Sequence, residues 1–176
     1  GRPVHSIPLQ DRRLGFVYQD FGLFPHMKVR ANIEYGLRIK GMKRAACEEK
    51  SRNMMELLGI CHLADRYPGT LSGGEQQRTA LARALIVDPR ILFMDEPFSA
   101  LDPNTKKQMY GLVREIHQLF GCTIVFVTHD FHEAEKLADR TAVIIGGRVR
   151  RICDSRQLFL EKEDREVMEF LGITAG

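Results

Sequence analysis

Apolar positions along the chain switch between two rhythms. Leu14-Gly15-Phe16-Val17-Tyr18-Gln19 is aromatic and β-branched, ends in a polar residue, and predicts a short strand. Phe21 to Pro25 is a turn-rich link. From Val29 to about Leu58 the pattern is helical and heavily charged, with a break near Gly41 and an apolar face of Cys47, Met54, Met55 and Leu58. Tyr67-Pro68-Gly69-Thr70 closes this stretch as a loop. After Leu71-Ser72-Gly73-Gly74 a helix is predicted, with Ala80, Leu81, Ala84 and Leu85 on one side and Asp88-Pro89 as its stop. Ile91 to Met94 is a continuous apolar run, as expected of a strand buried on both faces. Asp102-Pro103 is a helix start, and Met109, Leu112, Val113, Ile116 and Leu119 keep helical spacing behind it. Thr123 to Val127 predicts a second buried strand, so strand, helix and strand form a βαβ unit with parallel strands. A helix at about 131–138, a hairpin turning at Gly146-Gly147 and a helical tail from Ser155 to Leu171 complete the reading.

Composition adds limits rather than identity. A length of 176 residues suits one domain, or a domain plus a small subdomain, and 44% hydrophobic with 28% charged residues is an ordinary globular composition. No apolar stretch approaches the roughly eighteen residues that suggest a membrane span. The net charge of +3 is too small to argue for nucleic acid or an anionic membrane surface, so no nucleic-acid partner is expected. Cys47, Cys61, Cys122 and Cys153 contain no C-x-x-C pair and read as reduced, mostly buried thiols of a cytosolic protein. The chain opens Gly1-Arg2-Pro3 without an initiator Met, and we expect a piece of something longer.

The chemistry gathers where the predicted parallel strands end. Asp95-Glu96 terminates one and His129 follows the other, and open parallel sheets bind ligands at the carboxyl ends of their strands. Acids and Pro also end strands for purely structural reasons. Ser72-Gly73-Gly74 opens a helix whose unpaired amides and dipole suit a phosphate. Ser72 with Glu75 three residues on is equally a capping box, although that alone does not explain two consecutive glycines.

Taken together, these segments resemble the ATP-binding-cassette (ABC) ATPases. Leu71-Ser72-Gly73-Gly74-Glu75-Gln76-Gln77-Arg78 matches the family's signature sequence. Val17-Tyr18-Gln19-Asp20 resembles the Q-loop, and Ile91 to Pro97 the Walker B strand with its adjoining glutamate. Ser99-Ala100-Leu101-Asp102 resembles the D-loop, and Thr128-His129-Asp130 the H-loop. The order agrees, as do the intervals of 53 residues from Gln19 to Ser72, 23 to Asp95 and 34 to His129.

The resemblance implies an α/β P-loop NTPase-like parallel sheet flanked by helices, with an inserted α-helical subdomain. The ATPase core would be 1–25 and 71–176, and the helical signature-side subdomain 26–70. It implies ATP and Mg²⁺, with Asp95 and Gln19 at the metal, Glu96 as general base, and His129 on the γ-phosphate. Gln19 would also sense the γ-phosphate. Ser72, Gly73 and Gly74 would clasp ATP held by a second subunit, and Asp102 would lie across that homodimer interface. The further implied partners are transmembrane permease subunits and, indirectly, an extracytoplasmic solute-binding protein. The implied location is cytoplasmic, peripheral on the inner face of the cell membrane. Phe21 to Met27 resembles the importer branch serving oxyanions, polyamines or sugars, with a lean to molybdate, tungstate or sulfate systems.

One family element has no match. No Gly-x-x-x-x-Gly-Lys-Ser/Thr run, the Walker A P-loop, occurs in the 176 residues. The expectation is a fragment lacking the N-terminal strand and the phosphate cradle, with little ATP affinity or hydrolysis by itself. Two rivals stand beside it: a soluble ABC ATPase outside transport, and an inert or interaction-only fragment. Other features are read as ordinary. His129 and His132, three apart, find no third metal ligand at matching spacing. His26 is either a surface histidine or part of a permease-facing segment; His5, His62 and His117 are taken as surface or core positions. Arg148, Arg150 and Arg151 read as a solvated hairpin edge, and Met54-Met55 as core packing.

Overall fold

The computed structural model describes residues 3–8, 11–160 and 164–173. The chain divides into two compact units, Gly1–Val127 and Thr128–Gly176.

The first unit is built on a parallel sheet of β1 (Leu14–Val17), β2 (Ile91–Asp95) and β3 (Thr123–Val127), with β2 in the centre. The register pairs Phe16 with Phe93 and Phe93 with Val125, and Val17 with Met94. Its helices are α1 (Val29–Ile39), α2 (Arg44–Leu57), α3 (Gly73–Leu85) and α4 (Pro103–Phe120). The predicted break falls at Gly41, whose φ of +73° ends α1 and separates it from α2. Cys47, Met54, Met55 and Leu58 are buried as their spacing implies. Helix α3 packs on β1 and α1. Its stripe of Ala80, Leu81, Ala84 and Leu85 is buried, and so are Leu92 and Met94 of β2. Each large side chain so buried contributes about 1.5–3 kcal/mol.

Two expectations fail on the sheet and one on α4. β2 and β3 are not covered on both faces. Phe16 and Val125 remain 43% and 42% exposed, and Val127 60%. The reason is the period of two: Leu92 and Met94 point to the covered face, while the row Phe16, Phe93 and Val125 points to a face left open to solvent. An apolar run alone does not say how many faces a sheet has covered. Leu119, placed on the apolar stripe of α4, is also exposed, one turn beyond the last buried position Ile116.

The second unit contains α5 (Phe131–Leu137), the antiparallel hairpin β4 (Arg140–Ile145) and β5 (Arg148–Asp154), and α6 (Arg165–Phe170). Gly146 and Gly147 both have positive φ, the requirement of a two-residue type I′ turn. Ala134, Val143, Leu158, Val167 and Leu171 form its core. The predicted helical tail is a 3₁₀ segment, Ser155–Leu160, followed by α6. The predicted tail also includes residues 161–163, which lie outside the described residues. No helix among the described residues is long and apolar enough to cross a membrane. The four cysteines are free; Cys47 and Cys122 are buried, Cys153 is half-buried and Cys61 is exposed.

Candidate functional site

Parallel strands place their last residues on one edge of the sheet, and here β1 and β2 deliver polar groups side by side. β1 leads into Tyr18, Gln19 and Asp20, and β2 ends at Asp95. An open crevice at this edge is lined by Tyr18, Gln19, Asp20, Asp95, Ser99 and Ala100. Gln19 Nε2 donates to Glu96 Oε2 at 3.4 Å. Three predicted site residues from two distant segments therefore meet: Gln19, Asp95 and Glu96.

The Glu96 backbone is held in an unusual shape. Its φ is +41°, a left-handed conformation that costs a non-glycine residue about 1–2 kcal/mol. Its N–H donates to the Val127 carbonyl of β3 at 3.0 Å. Its own carbonyl accepts from the Ser99 hydroxyl at 3.0 Å and from the Ser99 N–H at 3.3 Å. Phe98, two residues on, is fully buried and edge-on to Tyr110 and Phe126. This turn lifts the carboxylate off the strand and beside Gln19.

The mouth of α3 is a capping box. The Ser72 hydroxyl accepts from Glu75 N–H at 3.4 Å, and the Glu75 carboxylate accepts from Ser72 N–H at 2.7 Å and from its hydroxyl at 2.9 Å. These bonds, from the backbone first, hold the Glu75 carboxyl below its ordinary value. The two glycines are not equivalent. A Cβ on Gly74 would lie 2.8 Å from Thr105 Cγ2, so packing against α4 explains it. A Cβ on Gly73 would meet only ordinary contacts, at 3.8 Å to Leu101 and 3.9 Å to Ala100, so packing does not require that glycine. Ser72, Gly73 and Gly74 do not line the crevice of Gln19 and Asp95. Asp102 is the N-cap of α4, accepting from Asn104 N–H at 3.0 Å and Thr105 N–H at 3.1 Å. Bonds from the Thr105 side chain and backbone keep its carboxyl below the usual range.

His129 belongs to the second unit and is exposed. Its loop is fixed locally: the Thr128 hydroxyl binds the Glu133 carboxylate and accepts from Asp130 N–H, and Asp130 caps α5 through His132 N–H. His132 lies 3.7 Å from Glu135, and no cluster of metal-ligating side chains occurs among the described residues. Asp95 and Gln19 offer only hard oxygen donors, one of them a carboxylate. That set fits Mg²⁺, which binds through one or two carboxylates and keeps most of its waters.

Two residues that spacing arguments did not single out bear on these loops. Gln77 is fully buried on α3, and its Nε2 donates to the Pro97 carbonyl at 2.6 Å. Arg83, also on α3, donates to the carbonyls of Gly22 at 2.7 Å and Phe21 at 3.1 Å and lies 5.2 Å over the Phe24 ring. A signal for Gln77 exists: it sits three and four residues before Ala80 and Leu81, a polar residue on an apolar stripe.

The arrangement is a parallel α/β sheet with acids and an amide at its carboxyl edge and a glycine-opened helix packed on its first strand. The ABC transporter family pattern matches residues 1–99, and the chain belongs to that family. It is 42% identical over 172 residues to the molybdate/tungstate import ATP-binding protein WtpC of Pyrococcus horikoshii, covering 98% of this chain and 50% of that protein. It is 42% identical over 169 residues to the sulfate/thiosulfate import ATP-binding protein CysA 2 of Agrobacterium fabrum, covering 95% and 50% respectively. CysA of Escherichia coli K12 is 43% identical over 176 residues, with 98% of this chain and 48% of that protein covered. The chain thus spans about half the length of the curated relatives it matches.

Proposed function

We propose that this chain is part of the ATP-hydrolysing subunit of an ABC importer, with a tetrahedral oxyanion as the transported solute. The single observation carrying the reading is the meeting of Gln19 and Glu96 beside Asp95 at the carboxyl edge of a parallel sheet. The oxyanion assignment rests on relatives named for molybdate, tungstate, sulfate and thiosulfate import.

In this reading Glu96 accepts a proton from water as its oxygen bonds to the γ-phosphorus, and the bond to the bridging oxygen of ADP breaks. Gln19 orients that water and senses the γ-phosphate, and His129 steadies the charge on it. Asp95 and Gln19 hold Mg²⁺, which when bound neutralises phosphate charge. Ser72, Gly73 and Gly74 grip the γ-phosphate of ATP on a second copy. Asp102 shapes the loop at that interface through its cap on α4. The helical subdomain 26–70, with the Phe21 to Met27 segment, faces permease subunits at the inner membrane surface, and a solute-binding protein acts on their far side.

The 176 residues hold no Gly-x-x-x-x-Gly-Lys-Ser/Thr run, so the α/β-phosphate cradle must come from other residues. The test joins this sequence in frame behind a segment that bears Gly-x-x-x-x-Gly-Lys-Ser/Thr. ATP turnover that depends on Glu96 is expected; equal turnover by the Glu96→Gln form sinks the proposal. The 176 residues alone should bind ATP weakly.

A further inference from the structure

Among the described residues, four non-glycine residues have left-handed backbone: Arg13, Phe21, Asp88 and Glu96. Arg13 and Asp88 pair with one another away from the crevice. The other two belong to the loops that carry Gln19 and Glu96. Such strain persists only where surrounding groups over-determine it. For both loops, those groups include a side chain of α3. Arg83 donates to the carbonyls of Phe21 and Gly22, and Gln77 to the carbonyl of Pro97, one residue beyond Glu96. Gln77 holds Pro97 although its own Oε1 is buried with no donor, an unfavourable arrangement for a side chain kept only for stability.

We propose that α3 is the positioning element of the reacting groups, with Gln77 and Arg83 as positioning residues that pin the Glu96 and Gln19 loops in their left-handed conformations. The same helix opens with Ser72-Gly73-Gly74. Gln77 and Arg83 lie six residues apart on it. The pinning itself is independent of the roles proposed above for Glu96 and Gln19; only its catalytic meaning rests on them.

The test is amide hydrogen exchange of the uniformly ¹⁵N-labelled 176-residue chain without nucleotide, with the Glu carboxylate ¹³C and Gln side-chain amide resonances read beside it. Gln77→Met removes the donor at similar volume. Exchange at Glu96, Ser99 and Leu101 should rise about tenfold, and the Glu96 carboxylate and Gln19 amide resonances should move, while Leu92 and Met94 keep their rates. If that variant does not fold, Gln77→Asn, which keeps the amide but shortens its reach, should give the same local pattern. Arg83→Lys, with one point-like donor group in place of a planar fork, should free Phe21 and Gly22 and leave Ser99 unchanged. In a Glu96→Gly background, where left-handed backbone carries no penalty, Gln77→Met should raise exchange less than twofold. No rise at Glu96, Ser99 and Leu101, or an equal rise across β2 and α3, overturns the proposal. Local release together with a P-loop-joined protein that hydrolyses no ATP would leave the pinning standing and remove the ATPase reading.

Discussion

Gln19 donates to the carboxylate of Glu96, joining the ends of two neighbouring parallel strands that lie 77 residues apart in the chain. The bond, at 3.4 Å, is long enough to yield when a water competes for either partner. Glu96→Gln in the P-loop-joined polypeptide should lower ATP turnover by about 10²–10⁴-fold, the range for loss of a general base, with ATP binding nearly unchanged. Steady-state phosphate release and equilibrium nucleotide binding, measured together, check this.

Gly74 and Gly73 should respond differently to alanine. Gly74→Ala forces a Cβ against Thr105 and should destabilise the first unit by about 1–3 kcal/mol, seen as a lower urea midpoint. Thr105→Ser, which removes the offending methyl and keeps the hydroxyl, should recover most of that loss. Gly73→Ala should leave the midpoint unchanged and instead lower turnover of the P-loop-joined form.

The capping box carries a pH signature. Ser72 bonds only the ionised Glu75 strongly, so the folded-state value lies below the ordinary 4.5. A depressed carboxyl contributes its full stability above pH 4.5 and loses it as pH falls through the folded value. Glu75→Gln keeps the hydrogen-bonding shape without the titration. The stability gap between the wild type and this variant should therefore narrow on acidification from pH 7 to about 3, in urea titrations at fixed salt.

Asp102 should behave as a cap whatever else it does. Asp102→Ala leaves Asn104 and Thr105 N–H groups without their acceptor and should lower the urea midpoint, while Asp102→Asn should hold it close to the wild type. Its depressed carboxyl loses its contribution as pH falls through the folded value, below the ordinary 3.8.

Local chemistry explains which of these features were legible beforehand. Gly146-Gly147, Asp102-Pro103 and Ser72 with Glu75 are short-range rules, and each gives the predicted element. Asp95 and Glu96 were readable because a buried strand that ends in acids must place them at an edge. The pairing of Gln19 with Glu96 had only motif order behind it, since contact between β1 and β2 is not encoded within either segment. The grip of Gln77 and Arg83 on two loops was less accessible still, because backbone carbonyls are acceptors at every residue and leave no mark in sequence. The exposure of Val125 and Val127 is hidden from the sequence for a related reason: a strand's composition reports its affinity for a core and not how many of its faces receive one.

The open row of Phe16, Phe93 and Val125 also has a calorimetric consequence. Apolar surface already wetted in the native protein adds nothing to the heat capacity change on melting, nor to the slope with denaturant. For its 176 residues this protein should therefore melt over a broader interval, with a shallower urea dependence, than a domain of equal length whose sheet is sealed on both sides.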